Sequence, residues 1–165
     1  MDGHFIVVPD MDDLPITEVS ARAFTIPTDE PESDGTLQWD STTLVVVTVE
    51  AGGETGLGWT YGHAAAAQVI ETDLAKAVMG LPAMDVAMAW AAMTTALRNS
   101  GRPGLGSMAI AAVDIALWDL KGQAALGSAG AAAGALSRQH PGVWKRRFHL
   151  LLRRAPAQPD ERLGR

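Results

Sequence analysis

An α+β domain, built as a three-stranded antiparallel meander followed by a helical bundle, is the fold this sequence predicts. Three observations predict it. Apolar and polar residues alternate with period two in segments up to Tyr61, helical spacing takes over after His63, and the strand-like segments all precede the helical ones. With 165 residues, 47% of them apolar, the chain is long enough to bury one core of ordinary size.

The first strand is expected over Ile16 to Ile26, where Val19, Ala21 and Ala23 alternate with Glu18, Ser20 and Arg22. Pro27 to Gly35 is dense in turn formers and acids, and with Thr36 to Ser41 it reads as a long loop, a kind of segment often functional in compact domains. The second strand is Thr43 to Glu50, whose β-branched side chains are stiff and favour extended backbone. Gly52-Gly53 marks a tight turn, and Leu57, Trp59 and Tyr61 alternate with Gly58 and Thr60 in a third strand.

In the helical half, Ile70, Leu74, Ala77 and Val78 share a face that ends at Gly80-Leu81-Pro82. Val86, Trp90, Met93 and Leu97 form the next stripe, from a candidate cap at Asp85 to Ser100-Gly101. A third helix, from about Ser107 to Gly122, is apolar on nearly all sides and so must be covered by neighbours. Residues 124 to 136 are almost only Ala, Gly and Leu, with too few large side chains to define a packing face.

Composition narrows the classes. No cysteine is present, which excludes disulfides and thiolate metal sites and fits a reducing cytoplasm. The N-terminus lacks a basic export region, and no stretch approaches the roughly 20 apolar residues of a membrane span, so a cytoplasmic protein with no membrane partner is expected. Charge is uneven. Residues 1–137 carry 5 Lys/Arg against 17 Asp/Glu, a net of −12, whereas residues 138–165 carry 8 against 2, a net of +6.

Motifs that would carry chemistry are few. Gly56-x-Gly58-x-x-x-Gly62 has the wrong spacing for a dinucleotide fingerprint, and no P-loop, His-Glu-x-x-His or Gly-x-Ser-x-Gly occurs. Gly101-Arg-Pro-Gly-Leu-Gly106 precedes a helix and could cradle an anion, but a plain turn is the commoner use of such a run. Asp114, Trp118 and Lys121 fall on one helix face, where a buried hydrogen-bonding role suits the carboxylate better than acid catalysis.

The run Arg98-Asn-Ser-Gly-Arg-Pro-Gly104, continued through Asp114, Trp118, Asp119 and Lys121-Gly122, resembles the capping domain of the mandelate racemase/muconate-lactonising group of the enolase superfamily. The resemblance covers roughly residues 14–127, with residues 1–13 as an N-terminal extension, and the chain reads as truncated before the barrel. It implies a parent enzyme that abstracts a proton α to a carboxylate and holds the enolate on Mg²⁺, a sugar-acid dehydratase or racemase acting on a small carboxylate substrate. The bases and metal ligands of such enzymes lie at barrel strand ends. With no Lys-x-Lys pair and only three lysines, this chain receives no catalytic residue and no metal ligand from the resemblance, and inactivity of the chain alone is expected. It also implies that the loops after the first and third strands close over the barrel mouth, which makes Thr36, Trp39, Tyr61 and His63 candidates for a substrate rim. Intact members of the group are often homo-oligomeric.

The resemblance ends abruptly at Gly127. Read one base out of phase, codons 128–135 permit Leu-Pro-Ala-Arg-Leu-Leu-Gly-Arg, the segment expected next, and codons 143–151 permit Tyr-Gly-Ser-Gly-Gly-Phe-Thr-Ser-Tyr, which looks like the entry into a barrel. Residues 128–165 are therefore expected to be a frameshifted, poorly ordered tail. The alternative is a free-standing binding module whose basic tail, with Trp144 and Phe148 among arginines, holds nucleic acid or another anion.

Overall fold

A computed structural model describes the backbone of residues 14–133 and the side chains of residues 14–125. The readings of the N-terminal extension and of the basic tail fall outside the described residues.

Three strands, β1 (Ile16–Ser33), β2 (Gln38–Ala51) and β3 (Glu54–Tyr61), form one antiparallel sheet in the order β1-β2-β3. The central strand is buried on both faces, and its run Leu44-Val45-Val46-Val47 is accordingly unbroken by polar residues. Val45, Val47 and Val49 point into the main core, while Leu44 and Val46 join Phe24 in a smaller cluster on the opposite face. The turn at Gly52-Gly53 has both residues at positive φ, 59° and 82°, as a tight hairpin turn between paired Ala51 and Glu54 requires.

The segment expected to be a long loop is largely strand. β1 continues past Ile26 to Ser33 and pairs again with β2 through Glu32↔Trp39 and Ser33↔Gln38, after an irregularity between Pro27 and Glu32. Prolines are tolerated there because β1 is a sheet edge, where a missing N–H costs no ladder bond. Turn formers therefore bent and bulged the strand without ending it.

Four α-helical segments follow: α1 (Ala65–Val69), which runs through a π-helical turn (Ile70–Leu74) into α2 (Ala75–Val78), then α3 (Val86–Ala96) and α4 (Leu105–Ala133). Ile70, Leu74 and Val78 are fully buried, as the helical spacing predicts. Gly80, at φ 79°, turns the chain back to the foot of β1, where Ile16 N–H donates to Leu81 O at 2.9 Å and Gly80 N–H donates to Ile16 O at 2.9 Å. Asp85 is the predicted cap: its Oδ1 accepts from Met88 N–H at 2.9 Å. In α3 the buried positions are Val86, Ala89 and Met93, and Trp90 lies exposed where the apolar stripe would have buried it. The small Ala89 brings the helix close to the core and leaves no room for an indole.

Helix α4 begins two residues before the expected start and continues well beyond Gly122, to Ala133. The Ala-rich run lacks a packing face but has the highest intrinsic helix propensity. One face of α4, with Ile110, Val113, Leu117 and Leu120, closes the core over β2 and β3. No helix among the described residues is long and apolar enough to cross a membrane.

Candidate substrate rim

The antiparallel meander sends the β1–β2 turn and the end of β3 to the same end of the sheet. β3 finishes against β2 with Tyr61 paired to Leu44, and Gly62 N–H donates to Thr43 O at 3.2 Å. Beyond that line β1 and β2 run on as a two-stranded arm whose turn lies at Asp34 to Leu37.

The turn is built around one carboxylate. Asp34 Oδ1 accepts from Thr36 Oγ1 at 2.7 Å, Thr36 N–H at 2.9 Å and Leu37 N–H at 2.9 Å. These bonds favour the ionised form, the Thr36 hydroxyl most of all, and they hold the Asp34 carboxyl down at about 2. Gly35 supplies the positive φ, 89°, that the reversal needs. One step down the arm, Trp39 Nε1 donates to Glu32 Oε2 at 2.9 Å, tying the two strands across the arm.

Of the four rim candidates, Thr36 sits in the turn with its hydroxyl proton given to Asp34, and Trp39 lies half-buried against the arm. Tyr61 is 57% exposed at the end of β3 and stacks edge-on against Trp59, ring centroids 5.3 Å apart. His63 is exposed, and its Nδ1 accepts from Ala65 N–H at 3.1 Å at the start of α1. Tyr61 and His63 are neighbours. Trp39 stands five β2 residues beyond the Leu44 partner of Tyr61, roughly 17 Å along the strand, so the sheet gathers the candidates at one end without joining them in one pocket. Leu37, which spacing did not single out, is the most outward apolar group of the arm at 67% exposure. An apolar residue between a turn-forming Asp-Gly-Thr and Gln38 is the sequence signal that could have marked it.

Behind the rim, two glycines set how closely α4 lies on the sheet. A Cβ on Gly56 would stand 2.0 Å from Ala116 O, and one on Gly58 would stand 2.0 Å from Ala112 O. The Gly-x-Gly of β3 thus admits a helix backbone, which explains its spacing without any cofactor. Asp119 then fastens the contact. Its Oδ2 accepts from Leu57 N–H at 2.8 Å and from Gln123 Nε2 at 2.7 Å, and Gln123 Nε2 also donates to Thr55 O at 3.1 Å. Because β3 is a sheet edge, these side chains occupy backbone groups that another strand could otherwise claim.

On the predicted face of α4, Lys121 Nζ lies 5.5 Å from the Trp118 ring centroid and donates to Met84 O at 2.8 Å. Asp114 accepts no hydrogen bond from a described residue, and burial pushes its carboxyl above the usual range. The hydrogen-bonding role belongs to Asp119. The glycine-rich run before α4 is a plain turn: Ser107 N–H and Met108 N–H donate to Arg102 O at 2.7 Å and Gly104 O at 3.0 Å. The described residues include no group of three or more His, Asp or Glu side chains able to hold a metal ion, so they do not fit a Mg²⁺ site and no step is routed through one.

Several known proteins are similar to this chain. The 3,6-anhydro-alpha-L-galactonate cycloisomerase of Streptomyces coelicolor is 44% identical over 84 residues, 48% of this chain and 23% of that protein. The L-rhamnonate dehydratase of Saccharopolyspora erythraea is 41% identical over 81 residues, 49% of this chain and 21% of that protein. Among solved structures, a mandelate racemase/muconate lactonizing enzyme-like protein from Rubrobacter xylanophilus superposes with a TM-score of 0.66 at 50% identity, covering 67% of this chain and 31% of its own. A racemase from Streptomyces coelicolor A3(2) with bound magnesium superposes at 0.64 with 38% identity, covering 67% and 32%. The chain thus spans less than a third of the length of each. The profile of the family described as "Mandelate racemase / muconate lactonizing enzyme, N-terminal domain" matches residues 19–128, and the chain belongs to that family through this domain.

Proposed function

We propose that this chain is the capping part of a Mg²⁺-dependent enzyme that removes the proton α to the carboxylate of a small sugar acid, in the course of dehydration, racemisation or cycloisomerisation in the cytoplasm. One observation carries the reading: a complete N-terminal-domain match over residues 19–128 on a chain spanning 21–32% of its relatives. The similar proteins include a cycloisomerase, a dehydratase and a magnesium-bound racemase. When bound in the whole enzyme, the metal would stabilise the enolate charge, with ligands from outside the described residues.

The part this chain plays is closure. The β1–β2 arm, stiffened by Asp34 and by the Trp39–Glu32 bond, holds Leu37, Thr36 and Trp39 out from the sheet, and Tyr61 and His63 form the second edge of the same rim. Such a rim excludes water and contacts the variable part of the substrate. Incubating the purified 165-residue chain with Mg²⁺ and a panel of acid sugars tests the reading. No turnover is expected, and measurable dehydration or racemisation would refute it.

The family match ends at residue 128, next to the point where the sequence departs from the pattern, which supports a one-base slip after Gly127 as the origin of the tail. Sequencing the encoding DNA decides this. An open, family-like frame should overlap codons 128–156, and a frame broken by stop codons there would exclude the slip.

A further inference from the structure

The face of α4 turned away from the core is apolar and carries a heptad spacing. Met108, Ile115 and Gly122 recur at one interval of seven and Ala111, Trp118 and Ala125 at another, which are the a and d positions of a coiled-coil seam. These positions are not consumed by the fold: Met108 is 41% exposed, Ile115 42% and Trp118 57%. The remaining faces of the helix hold the buried side chains and the Asp119 bonds to β3, so the seam is a separate surface.

Asp114 and Lys121 fall seven residues apart along one flank of the seam, both at position g. Asp114 is half-buried beside apolar groups, and no described residue offers it a cation. Lys121 uses one of its three ammonium donors on Met84 O.

We propose that α4 pairs antiparallel with α4 of a second copy of this chain, about a two-fold axis passing between Ile115 and Trp118. The spacing makes the seam self-complementary in size. An a residue faces a d residue across such a pair, so Ile115 meets Trp118, Ala111 meets Gly122 and Met108 meets Ala125, each contact occurring twice. A larger group meets a smaller one in every layer, and the Ala–Gly layers let the helix backbones approach. With that register, position g meets position g, and Asp114 of one copy falls opposite Lys121 of the other, again twice. The same offset that matches the side-chain sizes therefore neutralises both flanking charges. This isologous arrangement supplies the cation that Asp114 lacks within its own fold. The inference concerns this chain as it stands and is independent of the reaction proposed above.

Sedimentation of the full chain over concentrations on the order of 1 to 100 µM tests it, because a seam of this length supports micromolar association. Mass is expected to rise from monomer to dimer across that range. Trp118→Glu should leave a monomer throughout with an unchanged circular dichroism spectrum. Asp114→Lys and Lys121→Glu each place like charges across the axis, so each alone should dimerise at least tenfold more weakly, while an equimolar mixture of the two recovers the dimer as a heterodimer. Should Lys121→Glu fail to fold, Asp114→Lys mixed with wild type gives the second readout, since that pair has one favourable and one unfavourable contact and must associate more tightly than Asp114→Lys alone. A wild-type chain that is monomeric at every concentration would leave the seam to a following domain and overturn the proposal. So would a mixture of the two charge variants no tighter than its components.

Discussion

Replacing Gly58 by alanine adds one methyl group and should cost more stability than most deletions from the core. The new Cβ would stand 2.0 Å from Ala112 O, 2.6 Å from Ala116 N and 3.0 Å from Ala116 Cβ. The obstructing atoms are mostly helix backbone, which cannot rotate aside as a side chain does. An ordinary carbon–oxygen contact is about 3.3 Å, so α4 must withdraw by roughly 1.3 Å. A withdrawal of that size would carry Asp119 away from Leu57 N–H, stretching a 2.8 Å bond to roughly 4 Å, past the limit of a hydrogen bond. Overpacking costs about 1–3 kcal/mol and the loss of a charged hydrogen bond about 1.5–3 kcal/mol, so a loss of about 3–5 kcal/mol is expected from a domain whose whole stability is of order 5–15 kcal/mol. At about 4 °C per kcal/mol the melting temperature should fall by roughly 12–20 °C. Far-ultraviolet circular dichroism melts and urea titrations, run dilute enough to keep the chain monomeric, measure this. Gly122→Ala is the control: nothing lies within 4 Å of its new Cβ, and in a helix it should stabilise by about 0.5–1 kcal/mol. A Gly58→Ala protein melting within about 2 °C of the parent would refute the argument that β3 and α4 touch through this glycine.

Asp119→Ala removes the acceptor for Leu57 N–H and Gln123 Nε2 and should lower the urea-unfolding free energy by about 2 kcal/mol, with an unchanged midpoint counting against the edge-fastening role. Asp85→Ala deletes the cap of α3 and should cost about 1 kcal/mol in the same assay, where a result within about 0.2 kcal/mol would show that the cap bond is replaced by water. Asp34 has a folded pKa of about 2 against an ordinary 3.8, so its stabilisation of the turn is present in full above the ordinary value and is lost as pH falls through about 2. A carbon-detected titration of the Asp34 carboxyl reads this directly: Thr36→Val should move the midpoint upward, and an unmoved midpoint would remove the hydroxyl as its cause.

Local chemistry determined much of this molecule before any folding is considered. The period-two segments around Val19 and Val45, the helical spacing of Ile70, Leu74 and Val78, the Asp85 cap and the Gly52-Gly53 turn were all readable, because each depends on residues within one or two turns of each other. The family was readable for the same reason, since the run through Asp114, Trp118 and Asp119 lies on one helix.

Tertiary structure decided the remainder. Pro27 and the acids after it signalled a loop, yet the neighbouring strand continued the pairing to Ser33, because an edge strand forgives a proline that a central one would not. Trp90 occupied an apolar stripe position but was left outside, since the room available at α3 suited Ala89. The sequence placed Asp114 and Asp119 on the same helix, but only packing distinguished them: Asp119 reaches the free edge of β3 and gains two bonds, while Asp114 faces away and is left desolvated. The rim followed the same rule. Its residue types were written in two separate segments, and the antiparallel return of β2 and β3 brought those segments to one end of the sheet, because register is a property of paired strands and of no strand alone.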